Sequence, residues 1–112
     1  MDFLKEVFEE RKKYFENLEE YCEEIKKIIK TLVPGAKIYL FGSIIRNEFS
    51  IGLSDIDIAI VSDKFSDRDK KLKIFGILTK RFFYSPFEFH LLTKEQWDFY
   101  RRFIGKDKKE IR

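Results

Sequence analysis

"LFGSIIRNEFSIGLSDIDIAIV", Leu40 to Val61, decides how this chain folds. Two apolar runs, "KIYLF" at 37–41 and "SDIDIAIV" at 54–61, predict strands joined by a turn and one or two helical turns. The second run is almost continuously apolar, which predicts a central strand. Asp55 and Asp57 are out of keeping with it. Residues two apart point to the same face of a strand, so the two carboxylates stand side by side. Like charges that close repel and raise one pKa unless a cation intervenes. Ile56, Ile58 and Ile60 form the opposite face, suited to packing against a helix. The acid face turns apolar at Ala59 and Val61, so the acids gather at one end of the strand rather than lining a solvated side. Two readings are open: a pair of solvated or capping aspartates, or a cation site. Magnesium suits the second, being a hard ion held by one or two carboxylates together with substrate phosphates.

Just upstream, Gly42 follows the first strand and Ser43 opens the short helical stretch. Glycine permits a tight turn and close backbone approach. A serine hydroxyl with exposed amides can receive a phosphate. A lone Gly-Ser after a strand is common turn chemistry. Here it stands about a dozen residues before the doubled acid, enough chain to bring the second strand back beside the first.

On the N-terminal side, residues 2–32 carry apolar side chains at spacings of three and four: Leu4, Phe8, Phe15, Leu18, Cys22, Ile25, Ile29 and Leu32, with Arg11 the one interruption. A helix of that length would run roughly 45 Å, long for so small a domain. Either it breaks near Tyr14 or one end projects. "VPG" at 33–35 ends it. On the C-terminal side, Ser66 with Asp69 predicts a loose cap for a helix whose face is Leu72, Phe75, Leu78 and Phe82. "PFEFHLL" at 86–92 predicts a third strand. Thr93 and Gln96 predict a capping box for a last helix carrying Trp97, Tyr100 and Phe103, and "GKDKKEIR" reads as a frayed tail. The expected fold is α/β (α+β): one domain over residues 1–112, a small mixed sheet flanked by helices.

Glu88 breaks the apolar run of Phe87, Phe89 and Leu91 and shares a face with His90, the sole histidine. Ordinary strand alternation explains both; so does a third carboxylate for the acid pair. His90 reads as a supporting hydrogen-bond group or a solvated residue, with no catalytic role.

Composition bounds the rest. The chain has 112 residues, 44% hydrophobic and 17% aromatic, with 13 phenylalanines, which argues against disorder. No apolar run approaches the ~20 residues of a membrane span. The start "MDFLKEVFEE" lacks a signal-peptide arrangement, and one cysteine gives no disulfide framework. The expected location is the cytoplasm. A net charge of +3 makes no case for nucleic acid. "KRFFYS" at 80–85 is a weak basic-aromatic candidate that reads more easily as a helix end whose aromatics enter the core.

"FGS" at 41–43, eleven residues, then "DID" at 55–57 followed by "IAIV" resembles the signature of the minimal nucleotidyltransferases of the DNA polymerase beta-like superfamily. The resemblance covers nearly the whole chain. It implies a nucleotidyltransferase fold and magnesium-dependent transfer of a nucleoside monophosphate, AMP from ATP, to an acceptor hydroxyl. It implies Asp55, Asp57 and Glu88 as catalytic groups and metal ligands, and Gly42, Ser43 and Arg46 at the triphosphate. Asn47 stands where the family usually has glycine, a departure in the loop that does not touch the metal ligands. Similar proteins are often encoded beside a small helical partner, a ribonuclease-like toxin of the HEPN type, and several are antitoxins that modify that partner with AMP. The rival is a non-catalytic interaction module with a vestigial nucleotide site. The apolar first turns, Phe3, Leu4, Val7 and Phe8, leave three expectations open: a fold-back onto the core, a helical partner, or a homo-oligomer.

Overall fold

A computed structural model describes residues 2–112. The predicted 2–32 helix is two helices, α1 (Phe3–Glu16) and α2 (Leu18–Leu32), separated at Asn17. Asn17 leaves helical geometry (φ −117°, ψ 35°), and both its backbone N–H and its Nδ2 donate to the Lys13 carbonyl, closing α1. The break falls three residues beyond Tyr14, which is buried, while Phe3 and Leu4 at the far end of α1 are more than 70% exposed.

The chain continues through β1 (Lys37–Phe41), α3 (Ser43–Arg46), β2 (Ile56–Val61), a 3-10 turn at Asp63–Ser66, α4 (Arg68–Arg81), β3 (Phe87–Leu92), α5 (Lys94–Ile104) and β4 (Lys108–Ile111). The four strands form one mixed sheet in the order β3-β2-β1-β4, with β2 and β3 parallel and the other pairs antiparallel. The central place expected for the "IDIAIV" strand is the one it has.

Its isoleucines explain why. Ile56, Ile58 and Ile60 are fully buried against Ile25, Ile29, Ile74 and Leu78 from α2 and α4. Removing each such side chain from water stabilises the fold by about 1.5–3 kcal/mol. The other face of β2 carries Asp57, Ala59 and Val61. There a smaller cluster of Phe41, Ala59, Val61, Leu92 and Trp97 packs under α5. The predicted Thr93–Gln96 capping box starts α5, with both reciprocal hydrogen bonds formed.

Four expectations need correction. The "GKDKKEIR" segment is no frayed tail: Lys108–Ile111 pairs along β1 as an edge strand. The cap of α4 is Asp67, which accepts from the Asp69 and Lys70 amides, rather than Ser66. The buried side of α4 is Ile74 and Leu78, continued by Phe82, while Leu72 and Phe75 face solvent. Of the aromatics in "KRFFYS", Phe82 enters the core and Phe83 and Tyr84 do not. Among the described residues no helix is long and apolar enough to cross a membrane.

Candidate active site

The register of the sheet assembles the site. Asp57 stands opposite Phe41 on β1 and opposite Glu88 on β3. The next matching pair is Ala59 and His90. Alternation sends Asp57, Glu88 and His90 to the face covered by α5. Because Ala59 presents only a methyl group, the imidazole of His90 has room to lean along the strand toward Asp57. Its Nε2 lies 3.1 Å from Asp57 Oδ1 and 3.9 Å from a Glu88 oxygen. The Phe41 ring is 5.1 Å and the Tyr100 ring 6.0 Å from the imidazole, centre to centre, so aromatic walls support it.

The other oxygen of Asp57 meets Gly42. That residue has φ +82°, a conformation that side-chain-bearing residues rarely adopt, and a Cβ added there would stand 2.9 Å from Asp57 Oδ2. Glycine is thus required twice, by the turn and by the carboxylate. Gly42 donates its N–H to the Asp107 carbonyl, and its own carbonyl accepts from the Ile45 amide as Ser43 begins α3. The Gly-Ser turn and the acid strand are therefore in direct contact.

Asp57, Glu88 and His90 each offer one ligand atom, all within 4.8 Å of one another. A divalent ion with ligands at about 2.1 Å separates opposite ligands by about 4.2 Å, so small side-chain adjustments close the set. Two carboxylates suit hard magnesium, and the imidazole makes the set acceptable to manganese too. Partial burial pushes the Glu88 carboxyl above its ordinary value; His90 pulls it down, and the Asp57 and Asp55 carboxylates push it up further.

Of the residues singled out from sequence, Gly42, Asp57 and Glu88 come together here. Asp55 lies just before β2, exposed, and close enough to act on Glu88. Ser43 is half-buried at the first position of α3. Arg46 turns instead toward Glu48 and Asp107, at 3.4 and 3.5 Å. His90, read from the sequence as a supporting hydrogen-bond group or a solvated residue, lies in hydrogen-bond contact with Asp57, and one contributor lacks a sequence assignment: Tyr100, which belonged to the apolar stripe of α5.

The family model described as the nucleotidyltransferase domain matches residues 22–111. A solved structure provisionally described as a nucleotidyltransferase is 53% identical, with a TM-score of 0.74 over 82% of this chain and 98% of its own. A second, from Sulfolobus solfataricus and also provisionally described as a nucleotidyltransferase, is 20% identical, with a TM-score of 0.50 over 93% of this chain and 84% of its own; it bears on the fold alone. No curated protein matches the chain closely in sequence. With the matched segment running from α2 to β4 and taking in the Gly42 turn, Asp57 and Glu88, the chain belongs to the nucleotidyltransferase domain family.

Proposed function

We propose that this chain transfers a nucleoside monophosphate, AMP from ATP, to an acceptor hydroxyl in a magnesium-dependent reaction. The observation that carries this reading is the double restraint on Asp57: one oxygen lies against the bare α-carbon of Gly42, the other against His90. A carboxylate so oriented, with Glu88 beside it, is prepared to ligate a metal rather than to pair with a lysine.

Asp57 and Glu88, with Asp55 beside them, would hold the metal. A bound magnesium ion supplies charge neutralisation on the triphosphate and lowers the pKa of the attacking hydroxyl. His90 keeps Asp57 turned inward. The Ser43 hydroxyl, in the residue after Gly42, would donate to a phosphate oxygen, and Arg46 would join it by leaving Glu48 and Asp107. The acceptor oxygen forms a bond to the α-phosphorus, the bond to the bridging oxygen breaks, and pyrophosphate departs. Glu88, beside Asp57, would take the acceptor proton.

The acceptor we favour is a hydroxyl on a small helical protein partner of the HEPN type, which would make this chain its antitoxin. The support is resemblance, together with the exposed apolar side chains Phe3 and Leu4 on α1. The same exposure favours the second reading, a non-catalytic interaction module. Incubation with ATP labelled on the α-phosphate, magnesium and the candidate partner tests both. Label on the partner and release of pyrophosphate are expected. Magnesium-dependent ATP binding with no transfer to any acceptor leaves the module, and no binding at all removes the nucleotide reading.

A further inference from the structure

Arg11 interrupts the apolar stripe of α1, and the structure explains the interruption. Its Nε donates to the Ile51 carbonyl at 2.7 Å, and its NH2 group donates to the Ser54 carbonyl. Both acceptors lie some forty residues away, in the 47–55 loop that joins α3 to β2. Within the loop, the Ser54 amide donates to the Ser50 carbonyl and its hydroxyl accepts from the Ser50 amide, at 2.8 Å each. Those bonds make a local turn but do not anchor it. Among the described residues, the two hydrogen bonds that the loop backbone makes to a distant part of the chain both come from Arg11. Two neighbours on the same helix reinforce the grip. Phe15 stacks on Phe49 at 5.0 Å with an 11° interplanar angle. Phe8 lies close over Gly52, with a ring carbon 3.9 Å from where a Cβ would be.

The position of the second acceptor matters most. The Ser54 carbonyl belongs to the same planar peptide unit as the Asp55 amide. Fixing that oxygen therefore fixes the plane from which Asp55 departs and β2 begins. The guanidinium suits this double contact because it is always charged, rigid and forked, so one side chain serves two carbonyls three residues apart. A lysine has the charge without the fork.

We propose that Arg11 is a positioning residue, which sets the backbone entering Asp55 and thereby the metal-dependent part of nucleotide binding. The second clause rests on the reading of the site as a nucleotide site; the first does not. The family match begins at Cys22, so this clamp is a contribution of α1 from outside the matched segment. Because α1 is joined to α2 through the non-helical Asn17, the site depends on where α1 lies.

The test compares the full chain with Arg11→Ala and Arg11→Lys by hydrogen exchange without metal, and by calorimetry with a non-hydrolysable α,β-methylene ATP analogue at graded magnesium. In Arg11→Ala, amides across residues 50–56 should exchange at least tenfold faster while those of β3 and α4 keep their rates. The half-saturating magnesium concentration for analogue binding should rise about tenfold, with metal-free binding of the analogue unchanged. Arg11→Lys should fall between, since it reaches one carbonyl. If Arg11→Ala does not fold, the lysine variant decides on the same readings. Exchange across 50–56 at the wild-type rate overturns the clamp. Faster exchange with an unchanged magnesium requirement overturns its link to the site. Should the wild-type chain itself fail to bind the analogue, the nucleotide reading fails, and exchange alone upholds or overturns the clamp.

Discussion

The two faces of β2 carry opposite solutions to the same burial problem. On the α2/α4 face, Ile56, Ile58 and Ile60 vanish completely into a packed interior. On the α5 face the strand buries Ala59 and Val61 but opens at Asp57, where a small cluster under Trp97 gives way to charge. The first face uses its area for stability. The second keeps the Asp57 and Glu88 carboxylates together, at a cost that the large core offsets. Stability and chemistry are thus separated by the thickness of one strand.

The sharpest way to break that separation is Asp57→Asn. We expect nucleotidyl transfer to fall at least about a thousandfold, a barrier change of about 4 kcal/mol, while the melting temperature without metal stays the same or rises as one of the crowded charges is removed. A large loss of melting temperature would make Asp57 structural. Its mirror image is Ile58→Ala, expected to cost about 2–5 kcal/mol in denaturant unfolding while the folded fraction still binds magnesium and triphosphate. Gly42→Ala tests the seam between the faces. The added methyl meets both a positive φ and the Asp57 oxygen, so we expect about 1–3 kcal/mol of destabilisation together with weakened metal-dependent binding, read by melting and calorimetry. The smallest effect is in pH. Glu88 holds its proton more tightly folded than unfolded, so its contribution is present below the ordinary glutamate pKa and is lost as pH rises through the raised one. Without metal, melting temperature should therefore fall slightly more across mildly acidic pH in the wild type than in Glu88→Gln.

How far the sequence reveals this arrangement depends on where each residue finds its partner. Glu88 was legible as a partner of the acid pair through the family resemblance and its break in an apolar strand, but its parallel register with Asp57 was not, because that pairing joins strands distant in the chain. The Thr93–Gln96 cap was legible because both partners lie within one turn. β4 was hidden by its composition: Lys108, Lys109 and Glu110 are what an edge strand uses to discourage further pairing, and only Ile111 carries the apolar signal. The inward side of α4 was misread because apolar residues stand on several of its faces, and only the placement of β3 selects Ile74 and Leu78. Arg11 looked like a flaw in a stripe because its acceptors are backbone carbonyls far along the chain. His90 was legible as a supporting hydrogen-bond group, but its partner Asp57 was not, because that contact depends on the β2–β3 register.

The β1–β4 pairing has a consequence for the order of folding. Phe41 finds Asp57 across 16 residues of chain but Lys108 across 67. By loop-closure entropy alone the second encounter costs about 1.3 kcal/mol more, and its strand offers little apolar area in return. The β1–β2–β3 core should therefore form first, with β4 docking late and detaching first. Yet the Gly42 amide rests on the Asp107 carbonyl, and Arg46 on the Asp107 side chain. The turn that meets Asp57 is then braced by the last element to arrive, and a chain with a complete hydrophobic core can still lack a finished Gly-Ser turn.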